Sequence, residues 1–165
     1  MAIRWADGTD SDMIAMDDTY FPVIVATWVG APTEKSVRAY FQWLHEMLAR
    51  AKRDSTLFIN ITDASLAKTP APDVRRLIAE LTTTLENAGA DKNAVSAYVV
   101  VDNPLIRGVL TALGWLHGSM NVTHVATCKE ALDLGLRQLG RARKPAPHGL
   151  DPAKWRRPER ARRAS

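Results

Sequence analysis

The chain has 165 residues, 46% hydrophobic and 24% charged, which fits one soluble domain able to fold on its own core without a disulfide or metal. A single cysteine, Cys128, excludes an internal disulfide framework and fits a reducing compartment. The net charge of +4 is uneven: residues 141–165 hold nine basic side chains against Asp151 and Glu159, leaving 13 basic and 16 acidic residues elsewhere. The basicity therefore belongs to a tail and not to the fold.

The N-terminal stretch MAIRWADGTDSDMIAMDD is acidic and lacks the apolar region of a secretory signal. No apolar run approaches the roughly 18 residues of a membrane span. Both features lead us to expect a cytoplasmic protein, in which the sequons at Asn60 and Asn121 carry no weight. Residues 1–12 read as irregular, and Met13–Met16 as a short edge strand. FPVIVATWVG, Phe21–Gly30, is a β-branched run closed by glycine and reads as a strand, with Pro22 suited to its start.

PTEKSVRAYFQWLHEMLARAKRD then reads as a helix capped by Thr33, with Val37, Phe41, Leu44 and Leu48 forming its core stripe. TLFINIT is the next strand. PDVRRLIAELTTTLENAG is the second helix, with Val74, Leu77, Ile78, Leu81 and Leu85 inward and Gly89 at its C-terminal end. AVSAYVVV is an interior strand. NPLIRGVLTALGWLHG is a third helix, capped by Asn103 with Pro104 at its first position. VTHVAT is a short strand. TCKEALDLGLRQLG is the last helix, with Thr127 and Glu130 matching a capping box and Gly140 ending it. The order is β-β-α-β-α-β-α-β-α, an α/β fold with a mixed sheet of four to five strands and helices packed on it. Residues 141–165, rich in Pro, Arg and Ala, read as a flexible, disordered tail.

Four stretches carry a family resemblance: FPVIVATWVG leading into a helix, LFINITDAS as central strand and loop, SAYVVVDNPLIRG at the next strand–helix junction, and VTHVATCKEALDLGL at the end. Over about Asp17 to Leu139 the chain resembles the bacterial STAS-like domains, the group that includes anti-sigma-factor antagonists. The boundaries implied are residues 13–140 for the domain. Antagonists of that group carry a phosphorylatable Ser or Thr in an Asp-Ser-Ser-Gly setting after the central strand. Laying NITDASLAKTPA on that pattern puts Lys68 at the acidic position and Thr69-Pro70-Ala71 where Ser-Ser-Gly stands. Thr69 is thus the nearest phosphoacceptor by position, with Ser65 the second candidate. The plainer alternative is that these hydroxyls serve as turn and cap groups.

Open parallel sheets bind ligands at the carboxyl ends of their strands. There the sequence offers Asp63, Asp102 and Cys128. Asp63 with Asp102 would make a carboxylate pair for acid–base work, and Cys128 at a helix start would want a histidine base such as His124. Structural roles are the simpler reading of all three. The four histidines show no metal-binding spacing, and no glycine-rich nucleotide motif occurs, so neither metal nor cofactor is expected.

On a wheel of the third helix, Leu105, Ile106, Val109, Leu110, Leu113 and Leu116 share one face. Trp115 falls opposite, beside Arg107, Gly108 and Thr111. Trp43 lies off the stripe of the first helix. Tryptophan beside small residues and arginine is hot-spot composition, so these five form a candidate protein interface, with a homodimer as the expected assembly. The tail offers Arg156, Arg157, Arg160, Arg162 and Arg163 for an anionic partner, nucleic acid or membrane, with Trp155 available to stack. The reading that results is a non-enzymatic regulatory or protein-interaction module. A small-molecule or lipid-binding domain, and anion binding through the tail, stand as alternatives.

Overall fold

The structure, a computed structural model, describes residues 3–9, 11–91, 94–112 and 121–159. Six strands make one sheet in chain order: β1 (Ile3–Thr9), β2 (Asp12–Asp17), β3 (Val23–Gly30), β4 (Phe58–Ala67), β5 (Val95–Val100) and β6 (Asn121–Val125). The first three are antiparallel to one another, and β3 to β6 run parallel. Four helices follow β3, β4, β5 and β6: α1 (Glu34–Arg53), α2 (Pro72–Asn87), α3 (Pro104–Ala112) and α4 (Cys128–Arg141).

Two expectations are corrected at the N-terminal end. The sheet has six strands, not four to five, because residues read as irregular supply β1. IRWADGT has no β-branched run, so its strand state comes from pairing with β2, where Trp5 faces Ala15 and Ala6 faces Ile14. The second correction follows from the first. Trp43 is buried, at 1% exposure, rather than displayed. The β1–β2 hairpin extends the sheet sideways under α1, so the helix buries a wider arc than its aliphatic stripe indicates, and Trp43 packs beside Tyr40 at a centroid distance of 6.2 Å.

The parallel strands are covered on both faces, which is why they read as near-continuous apolar runs. One face carries Ile24, Ala26, Phe58 and Val99 under α1 and α2. The other carries Val23, Val25, Ile59, Ile61, Tyr98, Val100 and Val125, against Ala131, Leu132 and Leu139 of α4. Here α4 leaves the edge strand β6 and folds back over the opposite side of the sheet. It lies close: a Cβ on Gly135 would stand 2.7 Å from Ile59 Cγ2.

The caps behave as their residue types dictate. Thr33 Oγ1 accepts from the Ser36 amide at 3.1 Å, and Ser36 Oγ accepts from the Thr33 amide at 3.0 Å, closing a reciprocal box. Thr127 Oγ1 accepts from the Glu130 amide at 3.1 Å, while Glu130 reaches back to the Ala126 amide. Gly89 takes φ +101° just past α2, as a C-terminal glycine does. Gly140 does not end α4; the helix runs one residue further, and Arg143 takes the positive φ of 56°.

The segment after α4 departs from its compositional reading. Residues 142–157 are ordered along the α4 face of the sheet, not free in solvent. Lys144 Nζ donates to the Ser55 carbonyl at 2.7 Å. Gly149 comes beside Tyr20, and Leu150 and Trp155 pack on the apolar cluster of that face. A short turn from Asp151, whose carbonyl accepts from the Lys154 and Trp155 amides, sets the tryptophan inward. The two apolar side chains supply the burial that makes the path worth ordering.

Candidate functional site

Strand alternation places the site. Ile59, Ile61 and Asp63 share one face of β4. The register sets Ala15, Thr27, Asp63, Val100 and Val125 side by side across five strands. Asp63 is thus the one ionisable side chain in an otherwise uncharged row, and its exposure is 0%. A buried carboxylate needs charge and hydrogen bonds around it.

Those partners come from two directions. Locally, Asp63 Oδ1 accepts from the Ser65 hydroxyl at 2.6 Å and from the Ser65 amide at 3.2 Å. From the far end of the chain, Arg157 brings Nε to 2.8 Å and a terminal guanidinium nitrogen to 2.7 Å of Asp63 Oδ2. The same guanidinium donates to Ser65 Oγ at 2.8 Å. Asp63, Ser65 and Arg157 therefore form a closed triangle at the carboxyl end of β4.

Cys128, at the start of α4, completes the group. Burial first, then the charge of Asp63 and a hydrogen bond to it, push its thiol up to about 12, against a smaller downward pull from Arg157. A thiol so held is a neutral donor at physiological pH and not a nucleophile. His124 cannot serve as its base. Val99 pairs with His124 on the α1 face, whereas Val100, Val125 and Asp63 lie on the α4 face. Burial, then the nearby charge of Arg107, lowers the His124 pKa and keeps the ring neutral. The structure therefore joins Asp63 to Ser65 and Cys128, and separates the histidine from them. Asp102 is exposed in the loop after β5.

The two candidate phosphoacceptors differ in state. Ser65 is half-buried, with its hydroxyl engaged on both sides. Thr69 is exposed, between exposed Lys68 and the start of α2. The α2 N-cap is Ala71, which offers no side-chain hydrogen bond to the first turn. At the same carboxyl edge Leu66 and Leu105 are exposed, at 46% and 75%. Leu105 was expected on the core face of its helix. Instead Ile106 takes the buried position, and Arg107 and Gly108 are exposed. Trp115 and the side chain of Thr111 lie outside the described residues, as do Arg160, Arg162 and Arg163.

Two tail expectations change. Trp155 is packed on the sheet cluster and is not free to stack on a base. Arg157 is engaged by Asp63, while Arg156 donates to the carbonyls of Ala153 and Trp155. Between the sheet and α1–α2 lies a cavity of about 30 Å³ lined by residues that include Tyr40, Asn60, Thr62 and Val122. That volume suits water and not a lipid chain. Asn60 Oδ1 has no protein partner there among the described residues.

No protein-family model and no curated protein matches the sequence. Among solved structures, the chain is similar to a protein of the DUF3478 family with a SpoIIAA-like fold from Shewanella loihica PV-4. Identity is 15%, coverage is 81% of this chain and 92% of that one, and the TM-score is 0.50. It is also similar to an anti-sigma factor antagonist from Mycobacterium paratuberculosis, at 18% identity over 78% of this chain and 97% of that one, with a TM-score of 0.51. The fold is therefore the SpoIIAA-like, STAS-type fold that the sequence resemblance implies. Among the described residues, no helix is long and apolar enough to cross a membrane.

Sequence reasoning missed the Asp63–Arg157 pair. One signal was present: Asp63 has the parity of Ile59 and Ile61, so its carboxylate had to be buried and needed a cation. Nothing local distinguishes Arg157 from the other eight basic residues of the tail.

Proposed function

We propose that the chain is a non-enzymatic regulatory module that binds a protein partner through the carboxyl edge of its parallel strands. The observation that carries this reading is the pair of exposed leucines at that edge, Leu66 just before β4 ends at Ala67 and Leu105 at the start of α3. Exposed aliphatic side chains beside a polar loop are what an interface patch requires. The likeness to an anti-sigma factor antagonist agrees with it.

Thr69 is the gate in this reading. Its hydroxyl is accessible, and a phosphoryl group there would stand just ahead of the first turn of α2, which has no side-chain cap. Added negative charge at a helix N-terminus is held by free amides and the helix dipole. Ser65 is a strut between Asp63 and Arg157. Self-association through α3, where Leu105, Arg107 and Gly108 are exposed, is the homodimeric form of the same proposal.

The test is affinity capture from the native cell with the wild type, the double variant Leu66→Glu/Leu105→Glu, and Thr69→Glu. A protein retained by the wild type and lost from both variants, with circular dichroism unchanged, is the expected result. The same proteins retained by all three would overturn it. Light scattering of the wild type and the double variant decides the homodimer.

A further inference from the structure

We propose that residues 149–157 are a detachable strap, and that the groove beneath them, from Asp63 and Ser65 to Cys128, docks an arginine-bearing peptide segment. The chain's own Trp155–Arg157 is the resident occupant. This adds a second contact surface to the edge described above, and it stands on geometry that does not depend on that reading.

Three observations carry it. First, the recognition is charge-specific. A fully buried carboxylate is met by one guanidinium, whose Nε at 2.8 Å and terminal nitrogen at 2.7 Å converge on the same Oδ2, a paired-donor grip that the planar guanidinium offers and a lysine ammonium does not. Ser65 Oγ then accepts from the same guanidinium, so the groove reads the arginine at two oxygens.

Second, the strap is attached by side chains alone. Among the described residues, backbone hydrogen bonds of 149–157 stay within the adjoining segment, as from Leu150 to Pro147 and from Trp155 to Asp151. Among the described residues no ladder joins the segment to a strand. Its apolar anchors, Leu150 and Trp155, are each only half-buried. An element held this way opens at a fraction of the global stability.

Third, the strap runs along the surface with open space on both sides. Trp155 borders solvent-open clefts of about 510 Å³ towards Ile3, Asp17 and Tyr20 and about 390 Å³ towards Ser65, Thr127 and Cys128. Leaving the surface therefore disturbs no interior packing on those sides.

Cys128 supplies the readout, because it is the single cysteine of the chain and lies under Trp155 and Arg157. The full-length protein is labelled with a thiol-specific reagent at pH 8. Arg157→Gln and Trp155→Leu are expected to label roughly tenfold faster or more than the wild type, at equal helix content. Loss of the Arg157 charge alone would raise the thiol pKa further and slow labelling, so acceleration reports uncovering. A synthetic peptide of residues 149–159 added to the Trp155→Leu protein should restore slow labelling. The same peptide carrying Arg157→Ala should not. Unchanged labelling in both variants, or no protection by the first peptide, overturns the proposal. Neither outcome involves the Leu66–Leu105 edge, so failure here is distinct from failure of the interaction reading.

Discussion

Asp63 and Arg157 stand 94 residues apart in sequence and 2.7 Å apart in space. The pair ties the carboxyl end of the central strand to the last described residues of the chain. Because Asp63 is fully buried and the Arg157 side chain is 38% exposed, the two partners are not equivalent. Removing the arginine leaves a buried charge; removing the carboxylate leaves a cation that can turn to water.

Trp43 is expected to be a core residue in energy as well as in position. At 1% exposure, Trp43→Ala should cost about 3–5 kcal/mol, the range for truncating a buried aromatic. Urea denaturation measures it. A cost below about 1 kcal/mol would be that of a surface residue and would mean that the β1–β2 hairpin does not cover α1.

Two helical glycines should respond oppositely to alanine. A Cβ on Gly135 would meet Ile59, itself fully buried, at 2.7 Å, so Gly135→Ala should destabilise by about 1–3 kcal/mol despite the better helix propensity. Gly108 has nothing within 4 Å among the described residues, so Gly108→Ala should stabilise α3 by about 0.5–1 kcal/mol. Thermal denaturation of both variants checks the signs.

Stability should fall on the alkaline side, in part through Cys128. Its thiol pKa is raised to about 12 in the fold, above the roughly 8.5 of an unfolded cysteine. The contribution is therefore complete below about pH 8.5 and is lost as pH rises towards 12. Tyr40 and Tyr98, both raised by burial, act in the same direction. Comparing denaturation at pH 8 and pH 10.5 isolates the thiol: the decline should be smaller in Cys128→Ser than in the wild type. An equal decline would show that the fold does not raise the thiol pKa.

The two loop hydroxyls should tolerate negative charge unequally. Thr69→Glu sits on an exposed loop and should shift stability by no more than about 0.5 kcal/mol. Ser65→Glu would set a second carboxylate against Asp63 and cost about 2 kcal/mol or more. Equal tolerance would remove the distinction between gate and strut.

The alternation of strands and helices was legible, because both faces of the parallel strands are buried and their apolar runs are nearly continuous. The caps at Thr33, Thr127 and Asn103 were legible for local reasons: each places a side-chain oxygen near a first-turn amide. What sequence could not give was set by distant contact. β1 is a strand because β2 is beside it. Trp43 is inward because that hairpin passes under α1. Leu105 faces solvent although its helix wheel puts it with Ile106. The tail lies on the sheet because two apolar residues among its many charges, Leu150 and Trp155, find an uncovered part of the α4 face. The parity of Asp63 announced a buried charge, but its partner had to be found in three dimensions.

The pairing of Asp63 with Arg157 is tested most directly by a double-mutant cycle in the full chain, using Asp63→Asn, Arg157→Gln and both together, with stability from urea denaturation. The expected coupling is about 1–3 kcal/mol, reduced from that of a fully buried pair by the exposure of Arg157, with Arg157→Gln the costlier single change. Additive single effects, within about 0.3 kcal/mol, would show that the strap does not close on Asp63 and would contradict both the Asp63–Arg157 pairing and the groove built on it.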